Sequence, residues 1–288
     1  MKVLVTGAAG TLGRAALESL PGLGHAAIGL SRHELDITAE DAVRAALDQH
    51  APDCLLNCAA AAQLDVCEAD AALAEAVNAR APALLARACA ERGIRFVHYS
   101  TDYVFGGEDP RPRREEDPAE PRSVYGSTKL RGEAAVLAAA PASLVIRSAW
   151  IFRPGGRNFL CRLPELLSTE PHLPVVCDKF CSPTYAPDLI EITCRVIAAG
   201  ARGLFHAVNE GNTTWLELAG FLLIAMRERG LPTATQTLQP VPLSSLPGPP
   251  IRPRFSALEN ARLRAEPGLR PRGWQESVLN LIAPGAGT

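Results

Sequence analysis

Tyr125 and Lys129 stand four residues apart in the run Tyr125-Gly126-Ser127-Thr128-Lys129. On a helix, residues i and i+4 share a face. A free tyrosine titrates near ~10. A lysine ammonium one turn away favours tyrosinate and is expected to lower that value. Bringing it to about 7 takes roughly 4 kcal/mol of differential stabilisation. Such a phenol exchanges a proton with a carbonyl or an alcohol at neutral pH. Taken alone, the spacing is a common chance pattern. Independent support comes from upstream, where the apolar run Phe96-Val97-His98-Tyr99 ends in Ser100-Thr101-Asp102. Polar residues at the C-terminal end of a parallel strand face the ligand crevice. Thr101 there is placed to hydrogen-bond the tyrosine or the reacting oxygen.

A second constellation opens the chain. The apolar run Lys2–Thr6 leads into Gly7-Ala8-Ala9-Gly10-Thr11-Leu12-Gly13 and then a helical pattern. Gly7 permits a tight turn, Gly10 lets backbone approach a pyrophosphate, and Gly13 allows close helix–strand packing. The free N–H groups of the helix start, at Thr11 and Leu12, are offered to the anion. This is a dinucleotide site, and its GxxGxxG spacing leans toward short-chain dehydrogenases. In an oxidised complex, the positive nicotinamide would add to the lysine in favouring tyrosinate. At the end of the second strand an acid would bind a ribose 2′-hydroxyl, whereas an arginine accommodates a 2′-phosphate. The sequence offers Ser31 and Arg32 and no acid, which favours NADPH over NADH. Asp36 and Ile37 follow where the chain passes an adenine.

The elements that must position these groups alternate. Strands are read at Lys2–Thr6, Ala26–Leu30, Asp53–Cys58, Arg95–Ser100 and Ser143–Ala149. Helices are read at Leu12–Leu20, Ala39–His50, Leu73–Arg92 and Tyr125–Ala139, the third ending at Gly93. This β-α-β rhythm predicts an α/β fold, a Rossmann-type doubly wound parallel sheet with helices on both faces. Gly107–Arg122 reads as a polar surface loop. Beyond residue 151 the rhythm weakens to helices at Phe159–Leu167 and Trp215–Arg229. Gln239–Arg254, with six prolines, reads as extended loop. Residues 1–150 are therefore expected to form the dinucleotide-binding domain. Residues 151–288 are expected to form mainly a smaller C-terminal substrate lobe, with segments returning to the sheet.

Composition excludes several classes. With 288 residues, 47% of them hydrophobic, the chain can build a full core. A net charge of −2 carries no nucleic-acid signature. No stretch has the roughly 20 apolar residues of a membrane span, and the apolar N-terminus stops at a glycine turn. A cytoplasmic protein is expected. The eight cysteines include no CxxC pair and read as free thiols in a reducing compartment.

The segments VTGAAGTLG, LDIT, NCAAAAQLDVCEAD, HYSTDYVFGG, VYGSTKLRGE, IRSAWIF, DKFCSPTYAPDL, GNTTW and RPRFSALEN together resemble the dTDP-4-dehydrorhamnose reductase family, an extended branch of the short-chain dehydrogenases. The resemblance runs from residue 3 to about residue 260. It implies NADPH- or NADH-dependent reduction of the 4-keto group of a dTDP-linked 6-deoxy sugar, in dTDP-L-rhamnose and related carbohydrate biosynthesis. It implies that Tyr125 donates the proton and that Lys129 holds the nicotinamide ribose. Thr101, Asp102 and Trp150 would contact the sugar. The cofactor would meet Gly10, Thr11, Leu12, Asp36, Ile37, Ala60, Ala61 and Ala62. Arg252 and Arg254 suit a diphosphate through bidentate contacts.

Two departures stand out. Ala61 and Ala62 occupy positions where the family carries an aromatic or histidine and then threonine. Ala15 and Ala16 replace an acid used by some members for a metal-bridged dimer. No such metal is expected, and the state is monomer or homodimer. Two other readings stay open. One is a deoxysugar ketoreductase or epimerase of a secondary-metabolite pathway. The other is a non-catalytic regulatory subunit resembling that of methionine adenosyltransferase.

Overall fold

The structure is a computed structural model, and it describes residues 1–246, 252–266 and 268–283. Strand β1 (Lys2–Thr6) buries every residue after Lys2. Its side chains alternate between faces, as a strand requires. Val3 and Val5 join one hydrophobic cluster and Leu4 another. Helix α1 (Thr11–Ser19) follows, then β2 (Ala26–Leu30), α2 (Glu40–His50) and β3 (Cys54–Asn57). Short helices α3 (Leu64–Ala69) and α4 (Ala71–Glu75), a π-helical turn over Ala76–Arg80, and α5 (Ala81–Ala90) come next. They lead to β4 (Arg95–Thr101), α6 (Val124–Ala139) and β5 (Leu144–Ser148).

The sequence predicts one helix over Leu73–Arg92, and here the structure differs. Pro82 stands in the first turn of α5, where its missing N–H costs nothing. The π turn before it re-aims Asn78, a device seen often at functional sites. The terminal Gly93 does adopt the left-handed conformation, φ +67°, that a helix stop needs.

The second half contributes β6 (Ile151–Phe152), α7 (Phe159–Thr169), β7 (His172–Val176), β8 (Phe180–Cys181) and β9 (Thr184–Tyr185). After these come α8 (Ala186–Ala198), β10 (Gly203–His206), β11 (Thr213–Thr214), α9 (Trp215–Glu228), β12 (Thr237–Val241), α10 (Ala261–Ala265) and α11 (Trp274–Val278). Part of the Pro-rich stretch expected as extended loop is strand β12; residues 247–251 of it lie outside the described residues.

The main sheet has the order β2-β1-β3-β4-β5-β10, every neighbouring pair parallel. The order reverses at β1, so a crevice opens above the carboxyl ends of β1 and β3. One face is covered by α1 and α8, whose buried residues Ala15, Ala16, Leu189 and Ile190 meet Val3, Val5 and Leu56. The other is covered by α2, α5 and α6 through Val43, Leu47, Leu85 and Val136. Helix α8 and strand β10 therefore belong to the sheet although they lie beyond residue 151. A separate cluster joins α7, α9 and α11 through Leu163, Leu222, Met226 and Trp274. All eight cysteines are free. Among the described residues, no helix is long and apolar enough to cross a membrane.

Candidate active site

The turn after β1 is built for close backbone approach. Gly7 has φ +66°, and a Cβ there would lie 2.6 Å from the Ala59 nitrogen. A Cβ on Gly13 would collide with the Gly7 carbonyl oxygen. Helix α1 starts at Gly10 with no side-chain cap, leaving its first N–H groups free for an anion. Beside this turn lies a cavity of about 340 Å³. Of the expected cofactor residues, Gly7, Gly10, Arg32, Asp36, Ile37, Ala60 and Ala61 line it.

Thr11, Leu12, Gly13, Ser31, Ala62, Tyr125 and Lys129 do not line that cavity. The Leu12 side chain is buried in the sheet core, so only its backbone can serve an anion. Ser31 spends its N–H on Glu34 at 2.8 Å. Asp36 accepts from the N–H and hydroxyl of Thr38 at 2.9 and 2.7 Å, and these bonds hold its carboxyl below the usual range. Arg32 lines the cavity as the cation available to a 2′-phosphate. The shape, the tight glycine turn and the donor set fit a dinucleotide.

Gly13→Ala tests that fit. The clash is with backbone, which cannot swing aside, and overpacking of this kind costs about 1–3 kcal/mol. NADPH affinity, read by fluorescence titration, is expected to fall at least about tenfold, with a lower melting temperature. Unchanged affinity would mean the turn does not hold the cofactor.

The catalytic candidates come from two elements. Ser123 caps α6 by accepting from the Gly126 N–H at 3.1 Å. The helix then presents Tyr125 and Lys129 one turn apart. Strand β4 brings Thr101 within hydrogen-bond reach of the Tyr125 hydroxyl. Thr101 also donates to Asp102 at 3.1 Å. The Tyr125 ring packs edge-on against Tyr103, centroids 5.7 Å apart.

The electrostatics correct one expectation. Lys129 was expected to depress the Tyr125 pKa. Instead, burial pushes the phenol up to about 12, against a smaller lowering by the Thr101 hydrogen bond. Lys129 does not point its charge at the phenol. Its Nζ donates to the Tyr99 carbonyl at 2.5 Å and sits 3.2 Å from His98 Nε2. Burial brings Lys129 down to about 8. On Lys129 desolvation outweighs the opposing pull of Glu133. On Tyr125 the Coulomb effects of Asp102 and Cys67 add to burial, and the protein's own groups keep the phenol protonated.

Asp102 is buried, and burial raises its carboxyl; Lys179 and the hydroxyls of Ser256 and Thr101 oppose that rise. Trp150 follows β5 with φ +41°, a strained conformation for a non-glycine residue. Its ring stacks on Trp215 at 5.1 Å, and Trp215 stacks on Phe159 at 5.4 Å. Arg252 is half-buried, and its charge reaches Tyr103 and Lys179. Arg254 instead points outward, donating to the Asp178 carbonyl at 3.2 Å.

Sequence reasoning missed four contributors. Asn78 accepts from the Ala61 N–H at 2.9 Å and donates to the Ala61 carbonyl at 3.0 Å. It thereby fixes the backbone where the alanines replace polar side chains. Lys179 is buried, donating to the Pro253 carbonyl at 2.6 Å and to Ser256 at 3.1 Å. Trp215 and His98 complete the set. The signals available were the polar His98 inside an apolar strand and the segments DKFCSPTYAPDL and GNTTW, which carry Lys179 and Trp215.

A doubly wound sheet with a glycine turn at its switch point and a Tyr–Lys helix beside a Thr-bearing strand end defines a nucleotide-dependent short-chain dehydrogenase/reductase. Within that class the family model described as RmlD substrate binding domain matches residues 1–286, and the chain belongs to that family. It is 40% identical to a dTDP-4-dehydrorhamnose reductase of Streptomyces griseus, the match covering 96% of this chain and 91% of the relative. It is 38% identical to a probable dTDP-4,6-dihydroxy-2-methyloxan-3-one 4-ketoreductase of Streptomyces antibioticus, over 96% of this chain and 93% of that one. Among solved structures, a dTDP-4-dehydrorhamnose reductase from Clostridium acetobutylicum superposes with a TM-score of 0.90 at 36% identity, covering 98% of each chain. One from Bacillus anthracis, in complex with NADP, gives 0.90 at 27% identity and the same coverage.

Proposed function

We propose that this chain reduces the 4-keto group of a dTDP-linked 6-deoxy sugar with NADPH, in the cytoplasm, as a dTDP-4-dehydrorhamnose reductase does. NADH is the alternative donor. The observation that supports this reading is the hydrogen-bond relation of Tyr125 to Thr101, at the carboxyl end of β4 beside β3, in a chain of this family. NADPH held at the glycine turn would supply the hydride for the carbonyl carbon. Tyr125, kept protonated by burial, gives its proton to the carbonyl oxygen as that oxygen gains charge. Thr101 orients the phenol. Lys129 holds the cofactor ribose and, from its anchor on Tyr99 and His98, adds a positive charge to the site in which the phenolate forms. Trp150 offers an aromatic face to the sugar, which suits its C–H surface. Arg252 is the better placed of the two arginines for the diphosphate. Residues 151–288 supply most of the substrate side.

The test is a panel of keto-sugar nucleotides, each with NADPH and with NADH, followed by cofactor absorbance. Turnover of dTDP-4-dehydrorhamnose faster than of other keto sugars supports the reading. Preference for a differently substituted deoxysugar would favour the second reading, a secondary-metabolite 4-ketoreductase. Ala61 and Ala62 and the resemblance to the Streptomyces antibioticus relative motivate that second reading. No turnover of any member would overturn both.

The pH profile carries a sign. Lys129 is an ammonium below about 8 and neutral above it. Only the ammonium stabilises the phenolate. The kcat/KM of reduction is therefore expected to be flat at lower pH and to fall about tenfold per unit above that point. A rate that rises through the same range would rule out this role for Lys129.

A further inference from the structure

Lys129 is the end of a buried polar row. Thr6 of β1 is in register with Asn57 of β3, and Asn57 with His98 of β4. All three side chains share the sheet face that α6 covers. Thr6 Oγ1 donates to Asn57 Oδ1 at 2.7 Å. Asn57 Nδ2 lies 3.0 Å from His98 Nδ1, and His98 Nε2 lies 3.2 Å from Lys129 Nζ. None of the four residues is more than 2% exposed. Thr6 adjoins the Gly7 turn, so the row joins the cofactor turn to the catalytic helix.

We propose that His98 is a positioning residue for Lys129: the Thr6–Asn57–His98 row fixes where the lysine Nζ points and reverses its hydrogen-bond direction with the lysine's charge. The proposal rests on the reading that Lys129 works with Tyr125. Donor counting gives the two arrangements. With Asn57 donating through Nδ2, His98 Nδ1 must accept, so the neutral ring carries its proton on Nε2. That proton then points at Nζ, which must accept it as a neutral amine. When Lys129 is an ammonium, Nζ donates to Nε2 instead. The ring proton then sits on Nδ1, and the Asn57 amide turns its oxygen toward it. In both arrangements Nζ also donates to the Tyr99 carbonyl, and one N–H stays free for the site.

Burial and the neighbouring lysine charge keep His98 neutral, so the ring switches tautomer rather than charge. The other groups acting on Lys129 are Glu133 from its own helix and Cys58 beyond β3. Glu133 is held by Arg147 and Ser100. The Cys58 thiol is pushed up by burial and stays neutral.

The experiment is ring-nitrogen NMR of the wild-type protein labelled at its six histidines, without cofactor, with His98→Gln assigning the signal. On crossing pH of about 8, the His98 proton is expected to move from Nδ1 at low pH to Nε2 at high pH. A proton fixed on one nitrogen throughout, or a ring that becomes imidazolium, overturns the proposal. Asn57→Asp gives the second readout. A carboxylate only accepts, so it holds His98 in the Nδ1–H form and Lys129 charged. The fall in kcat/KM is then expected at a pH at least about one unit higher; an unmoved fall overturns the proposal. A tautomer switch accompanied by a pH-independent rate would support the row and overturn the catalytic reading of Lys129 instead.

Discussion

Tyr125→Phe is expected to lower kcat for keto-sugar reduction by about 10³-fold, within the range general acid catalysis supplies. The substitution deletes one oxygen and keeps the ring, so the edge-on packing against Tyr103 survives. Melting temperature and NADPH affinity are therefore expected to stay near wild type. The size of the effect follows from the surroundings. Tyr125 is held protonated by burial. Asp102, the nearest acid, is itself buried behind Lys179 and Ser256. Thr101, the remaining hydroxyl, donates to Asp102 and is a far weaker acid than a phenol. A product alkoxide forming at this place has one good proton source. Initial rates from cofactor absorbance check the prediction. A Tyr125→Phe rate within about tenfold of wild type would mean that the proton arrives by another route.

What the sequence could reveal followed from how local each signal is. Val3, Leu4 and Val5 announce a buried parallel strand because each sheet face demands an apolar side chain. The glycine turn is legible because Gly7, Gly10 and Gly13 recur at a fixed spacing and Gly13 answers to backbone only a few residues away, although Gly7 also meets the distant Ala59 backbone. Tyr125 and Lys129 are legible because one helix turn fixes their relation. Their charge state was not, because it depends on burial by elements far away in the chain. The lysine turns to Tyr99 and His98, thirty residues upstream, and no spacing rule encodes that. Helix α8 was not read although its apolar residues recur on one face and nine of its thirteen residues are buried. Strand β10 is four residues long and gains its place only by pairing with β5. Asn78 was hidden in an apparently continuous helical pattern, and Lys179 in a stretch to which the sequence assigns no element. Both do their work through partners distant in sequence.

Glu133→Ala is expected to destabilise the fold by about 3–5 kcal/mol, the usual consequence of orphaning a buried charge. Glu133 of α6 and Arg147 of β5 form a bidentate pair at 2.7 and 2.9 Å. Their side chains are 5% and 4% exposed. Ser100 of β4 donates to the same carboxylate at 2.5 Å, so one acid ties the catalytic helix to two strands. Without it the guanidinium cannot reach water. It lies over the Phe105 ring at 5.1 Å, and its Nη1 has no hydrogen-bond partner among the described residues. For a chain of this size the loss corresponds to a drop in melting temperature on the order of 10 °C. The double variant Glu133→Met with Arg147→Met is expected to recover at least about half of that loss, since matched apolar replacements of buried pairs are often neutral. Removing Glu191 from its exposed pair with Arg195 should move the midpoint little, because water screens that pair. Urea unfolding of the four proteins measures all three values. The activity of Glu133→Ala, assayed well below its new midpoint, should fall as well. Glu133 is one turn beyond Lys129, and the pair anchors α6 to β5, the neighbour of the strand that carries Thr101. A Glu133→Ala protein as stable as wild type would show that this helix is held by its apolar face alone.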